Sequence, residues 1–337
     1  MPGSPRSEDW FNPRAGQETV VLEDDQTRAT FDAVTGALLG LRSQRTGWDI
    51  QGRAALGQSF RAYVTLPDRL YGPVNGLQCR LGGVEVSEDR RTATFTWEEL
   101  HLQSGERLPI RFTGRASLQR GELHFAGQLE NQSAATVTTL SWPVLGDVSL
   151  PLGETTLERQ NFDYGTFKRT PLLPCMANER GYYGTNYPMQ IEGKGARNPG
   201  IPGAYHFLPR FVLLSAGAQG WYAGAHDVSA GELVCFFSEL RPGYLDSYHG
   251  RAPATPQVGE LPIHLTFEAI HYPFAGPGEQ GAALTEVVLA PYQGAWHAGV
   301  DVYRRWRATW HRPAPSPSWV HEVHAWQQLQ IGSAEDD

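Results

Sequence analysis

From Glu18 to about Ala290, short alternating or apolar runs are punctuated by Gly, Pro, Asn and Asp, the pattern of antiparallel β-structure. The clearest hairpin joins Thr27–Asp32 to Ala37–Ser43 through Ala33-Val34-Thr35-Gly36, where the glycine supplies the positive φ of a tight reversal. Further strands are predicted at Phe60–Leu66, Thr92–Trp97, Ile110–Leu118, Glu122–Glu130, Val137–Val144, Phe207–Ala216, Gly220–Ala225, Leu233–Glu239, Ile263–His271 and Leu284–Leu289. With no helical pattern between them, these strands predict packed antiparallel sheets in one large sandwich.

Two regions break the rhythm. Residues 155–205 read as a long irregular stretch rich in aromatic and polar groups, including Asn161-Phe162-Asp163-Tyr164 and the run from Gly181 to Gln190. Long loops inside compact domains are often binding loops, and here an ordinary cover over a sheet edge is the other reading. The second break is Ala295–His311, where Trp296, Val300, Tyr303, Trp306 and Trp310 recur every three or four residues as the stripe of an amphipathic helix. Pro313, Pro315 and Pro317 end it, and Trp319–Ile331 reads as one more strand. The expected organisation is a flexible start over 1–17, a β-sandwich over 18–293, a helix and proline linker over 294–318, and the beginning of a further domain over 319–337.

Composition narrows the function classes. The 337 residues include 24 prolines and 37 glycines with only 19% charged residues, which suits a turn-rich globular chain. A formal charge of −8 without a basic stripe argues against a nucleic-acid partner. Only Lys168 and Lys194 of the 28 basic residues are lysines, an imbalance that coding bias explains. Cys79, Cys175 and Cys235 are odd in number and far apart, so neither a disulfide framework nor a metal knuckle is written here. The first sixteen residues lack the apolar segment of a signal peptide, and the longest apolar run, Phe211 to Ala218, is too short to span a bilayer. A cytoplasmic protein with no membrane partner is expected.

Five of the ten tryptophans (Trp296, Trp306, Trp310, Trp319 and Trp326) fall in the last 42 residues. A helix and a strand cannot bury so much aromatic surface by themselves, so this end either docks on the sandwich or meets a domain outside the chain. For the final strand the second is expected.

The order of TRATFDAVTGALLGLRSQRTGWDI, NERGYYGTNYPMQ, AWHAGVDVYRRWRATWHRP, a proline linker and SWVHEVHAWQQLQI resembles the N-terminal half of large bacterial glycoside-hydrolase-like proteins. In those a galactose-mutarotase-like β-supersandwich precedes a catalytic (β/α)8 barrel. The resemblance covers about residues 18–335 and implies a mainly β chain: a large antiparallel β-supersandwich, then one amphipathic helix and a short C-terminal strand corresponding to the first barrel strand. Barrel active sites sit at the C-terminal ends of the barrel strands. A chain truncated at the first strand is therefore expected to lack a complete hydrolytic site, its partners being a carbohydrate and a barrel domain supplied in trans or lying beyond this chain.

Candidate chemistry follows the same line. Sugars are held by flat aromatic faces and planar polar side chains in a concave site. Tyr182, Tyr183, Asn186, Tyr187 and Gln190 supply both types within nine residues, Trp221 and Trp326 are candidate platforms, and His206, His226 and Asp227 are placed to line a sheet rim. Asp163, Glu179 and Glu192 give no evident catalytic pair, so no catalytic residue is assigned. An isomerase of the aldose mutarotase or hexose epimerase kind, using a His and a Glu, is the contrasting class. Glu268 and His271 point to opposite faces of a regular strand, which weakens that pair. His321 and His324 do the same, so no metal and no cofactor is expected. A structural or interaction module is the third class.

Overall fold

Alternation of buried and solvent-facing residues sets the architecture. On Thr92–Trp97 the side chains of Ala93, Phe95 and Trp97 are buried while the intervening threonines are half-exposed, so one face of the strand meets a core. The computed structural model describes residues 18–163, 166–173, 210–229, 231–241, 264–312, 315 and 317–322.

Among these residues the chain forms a nine-stranded antiparallel sheet in the order Thr166–Leu173, Leu157–Asp163, Phe211–Ala216, Gln219–Ala225, Glu279–Gln293, Glu122–Asn131, Ile110–Gln119, Thr92–Trp97 and Leu81–Val86. A five-stranded sheet runs Val234–Arg241, His264–His271, Thr136–Leu145, Arg61–Leu66 and Arg69–Asn75. A third sheet holds Thr19–Glu23, Thr27–Asp32, Leu38–Ser43 and Asp49–Gln51, and a two-stranded ribbon joins Leu100–His101 to Arg107–Leu108. One contiguous core unites the three large sheets, with Phe31 and Leu41 from the third, Val64, Trp142 and Phe267 from the five-stranded, and Phe95, Trp97, Phe112, Phe125 and Leu289 from the nine-stranded. The protein is thus a large antiparallel β-sandwich.

The opposite face of the nine-stranded sheet carries a smaller core. Leu213, Tyr222, Val288, Ala290 and Tyr292 alternate with main-core residues and are covered by helix α1 (Trp296–Trp310) through Val302. Trp296 stacks on Phe167 with ring centres 4.6 Å apart, and Tyr303 lies 4.9 Å from Phe211. Two of the C-terminal tryptophans, Trp296 and Trp306, are therefore held against the sandwich, whereas Trp310 and Trp319 are 38% and 55% exposed.

The hairpin around Gly36 forms as its sequence requires. Asp32 Oδ1 accepts the Val34 and Thr35 amides at 2.8 and 2.9 Å, and Gly36 takes φ 70°. A Cβ there would stand 2.5 Å from Trp97 Cζ2. Gly36→Ala is expected to cost about 1–3 kcal/mol through strain and overpacking, read as a lower denaturation midpoint at unchanged slope.

Two expectations are corrected. Residues 155–205 are not irregular throughout, because Leu157–Asp163 and Thr166–Leu173 form an antiparallel pair that extends the nine-stranded sheet beside Phe211–Ala216. The buried polar residues Arg159 and Gln160 hid the alternation, Arg159 donating to the Phe236 carbonyl at 3.0 Å across the sandwich. Where a strand was expected from Trp319, Ser318–Glu322 is a 3-10 turn begun by the Val320 amide donating to Pro317 O at 3.0 Å. The remainder of that run, with Trp326, and residues 1–17 lie outside the described residues.

Candidate site in the cleft between helix and sheet

Strand alternation aims a set of polar side chains at α1. Leu123 and Phe125 point into the main core, so Glu122 and His124 face the helix. On the neighbouring strand, two residues, Thr285 and Glu286, oppose Ala126 between the pairs Phe125–Val287 and Gly127–Leu284. This bulge shifts the parity of the strand and leaves Glu286 on the helix side with Val288. His124 Nδ1 then lies 3.1 Å from Glu286 Oε2.

His226 follows the strand Gln219–Ala225, its amide donating to Glu286 O at 2.8 Å. The Tyr222 hydroxyl lies 3.0 Å from His226 Nε2. That contact depends on Gly224 between them, where a Cβ would stand 1.9 Å from the Tyr222 hydroxyl. From the helix, Trp306 stacks on the His226 imidazole at 4.5 Å and 13°, and Arg305 Nη2 donates to Glu122 Oε1 at 3.0 Å.

Together these groups line an open cleft of about 690 Å³. One wall is helical and largely apolar, with Ala298, Val302 and Trp306. The other presents Glu122, His124, His226 and Glu286, and Gln26, Arg45 and Arg120 complete the lining. Burial under Trp306, reinforced by His124, pushes the His226 imidazole down to about 3, so it is neutral at pH 7 and Nε2 accepts the Tyr222 hydroxyl proton by assignment. The hydrogen bond with His124 holds Glu286 below the usual carboxylate range against the opposing effect of its burial. A neutral imidazole, a carboxylate–imidazole pair and an apolar wall in one cleft can bind a polyhydroxylated ligand and exchange protons with it.

Of the residues expected at a sugar site, His226 lies in the cleft. Trp221 is 2% exposed within the main core and offers no face to a ligand, a correction that follows from its inward position beside Tyr222, which faces the helix. Asp227 is occupied in the turn after His226, Oδ1 accepting the Ser229 amide at 2.8 Å and hydroxyl at 2.6 Å. Tyr182, Tyr183, Asn186, Tyr187, Gln190, His206 and Trp326 lie outside the described residues. The sequence reading missed His124 and Glu286, whose strands are 162 positions apart, and no local motif marks either.

Glu268 and His271 separate as strand alternation requires. Glu268 receives Arg61 Nη1 at 3.0 Å, whereas His271 lies 2.9 Å from Trp142 O and 3.4 Å from Glu232. Burial pushes the thiols of Cys79 and Cys235 up to about 11 and about 12, leaving both unreactive at neutral pH. Among the described residues no group of three or more His, Cys, Asp and Glu is placed to hold a metal, and no helix is long and apolar enough to cross a membrane.

The fold and cleft define a helix-covered antiparallel β-sandwich with a histidine–carboxylate site. No protein-family model and no curated protein matches the chain. Among solved structures, it is similar to a galactose mutarotase related enzyme of Lactobacillus acidophilus, at 10% identity and a TM-score of 0.45, over 82% of this chain and 98% of that one. It is also similar to a galactose mutarotase-like protein of Lactobacillus casei, at 12% identity and a TM-score of 0.37, over 82% of this chain and 100% of that one. An α-galactosidase of Geobacillus stearothermophilus matches at 12% identity and a TM-score of 0.47, over 89% of this chain and 43% of its own. The chain spans less than half the length of that glycosidase. Such a likeness concerns the course of the chain and carries no residue's role across.

Proposed function

We propose that this chain is a carbohydrate-binding β-sandwich domain of a glycoside-hydrolase-like protein, with its saccharide site in the cleft between α1 and the nine-stranded sheet. The observation that carries this reading is the pairing of an apolar helical wall with converging carboxylate and imidazole groups, the combination that a sugar's C–H face and hydroxyls require. Tyr182, Tyr183, Asn186, Tyr187 and Gln190, with His206 and Trp326, belong to the proposal as further contacts. So does a neighbouring (β/α)8 barrel, for which the exposed Trp310 and Trp319 are the support.

Calorimetric titration with galactose and with glucose tests the site. Binding of either sugar is expected, weakened about tenfold by His124→Gln with Glu286→Gln, the loss of roughly one hydrogen bond to a charged group, with the melting temperature held within a few degrees. Affinity that ignores this pair and falls only with Tyr183→Ala and Asn186→Ala would move the site to those residues, and no binding at all would refute it.

A second reading is favoured by the two imidazoles. His124, paired with Glu286, stands with its ring centre 6.4 Å from that of His226, so two imidazoles and a carboxylate flank one cleft. This arrangement suits an aldose isomerase that exchanges protons between the anomeric hydroxyl and the ring oxygen. Polarimetry on freshly dissolved α-galactose separates the readings: a simple binder leaves the relaxation at the buffer rate, and an isomerase accelerates it and loses the acceleration in His226→Gln.

A further inference from the structure

The cleft gathers basic side chains in a chain whose formal charge is −8. Three arginines line it. Arg305 is committed to Glu122 at 3.0 Å, and the other cleft carboxylate, Glu286, is committed to His124 at 3.1 Å. Arg45 makes a single weak contact, 3.3 Å to the Gln26 amide oxygen, and the Arg120 guanidinium has no ion pair or side-chain hydrogen bond among the described residues.

Arg120 is also held where an arginine is an unfavourable choice. It is the first central residue of the two-residue turn between Ile110–Gln119 and Glu122–Asn131, with φ 53° there and 80° at Gly121. Such turns favour Asn or Gly at the first place, because a larger side chain in the left-handed region costs backbone energy. The turn is fixed from outside. The Gly121 amide donates to Asp24 Oδ2 at 2.7 Å, the Thr27 hydroxyl donates to Gly121 O at 2.6 Å, and Gln26 Nε2 donates to Arg120 O at 3.5 Å. The Arg45 turn is tied to the same segment, since the Gln44 amide donates to Gln26 O at 2.7 Å. Arg45 and Arg120 are therefore carried on turns tied to one loop, and both line the cleft.

We propose that the cleft takes a negatively charged saccharide, a uronate or a sugar phosphate, whose anionic group is held by Arg45 and Arg120 while its ring lies between α1 and the sheet. The inference rests on the saccharide reading and adds the charge of the ligand. Guanidinium forks match both carboxylate and phosphate oxygens, so the chemistry is shared and the probes distinguish the source.

The test is calorimetric titration of the full chain with galactose, galacturonate, galactose 6-phosphate and inorganic phosphate, at low and high salt. At least one charged sugar is expected to bind about tenfold or more tighter than galactose, with an advantage that shrinks at high salt and disappears in Arg45→Gln with Arg120→Gln. Arg120→Gly, which relieves the left-handed strain, is a second variant and also loses the advantage. Equal affinities for charged and neutral sugars, or an advantage that survives both variants, overturn the proposal while galactose binding leaves the saccharide reading standing. Inorganic phosphate binding as tightly as the sugar phosphate overturns it as well, and absence of binding by all four probes overturns both.

Discussion

Trp142→Ala is expected to lower the unfolding free energy by about 3–5 kcal/mol, the range for truncating a large aromatic side chain in a packed core. Trp142 is 2% exposed and lies where the two main sheets meet. Its ring centre stands 5.4 Å from Phe125, 5.8 Å from Phe112, 5.9 Å from Trp97 and 6.4 Å from Phe95, all four in edge-to-face arrangements. Nε1 donates to Ala126 O at 3.2 Å, and truncation would also remove this part-buried hydrogen bond. The four rings belong to three paired strands of the nine-stranded sheet, facing Trp142 from across the sandwich, and the strand pairing keeps them from closing over the space. Chemical denaturation followed by circular dichroism measures the loss. A change below about 1 kcal/mol would show that this cluster does not fasten the sheets.

Acid is expected to weaken the fold through His226 before the carboxylates titrate. In the folded chain the imidazole is pushed down to about 3 by burial and by His124, whereas its ordinary value is 6.5. The unfolded chain therefore binds the extra proton across that interval, and the folded chain does not. Stability is full above the unfolded value and is lost as pH falls through the window from 6.5 toward 3. Between pH 6.5 and 4.5 the contribution amounts to roughly 2 kcal/mol. Glu286, lowered by His124, adds its own loss only below the ordinary carboxylate range, so the upper part of the window reports His226. His226→Gln keeps a polar partner for Tyr222 and removes the titration. Its unfolding free energy is expected to change by about 2 kcal/mol less than the parent's over the same interval. Parallel profiles for the two proteins would show that His226 is not held neutral by the fold.

Much of the architecture was legible because sheets impose a period of two. Thr92–Trp97 is found with its expected bounds, and Ile110–Gln119 and Glu122–Asn131 run one residue beyond theirs, since one face of each is buried and the other is not. Helix α1 was legible for the same kind of reason, the stripe from Trp296 to Trp306 having a sheet to cover. Leu157–Asp163 was not, because Arg159 and Gln160 occupy buried positions that only a partner across the sandwich or along the strand makes tolerable.

The fold class, the Gly36 hairpin, the helix with its apolar stripe and the presence of His226 near a sheet rim can all be read from residue order, because each follows from local periodicity or turn chemistry. The surroundings of His226 come from the packing of the whole chain. The turn at Arg120 and the His124 strand that follows it lie far along the chain from the bulge that turns Glu286 outward and the helix that brings Trp306. A local pattern records which face of an element is buried. The choice of which faces meet, and therefore of which polar groups share one cleft, is made by the pairing of strands far apart in sequence, and that pairing leaves no local trace.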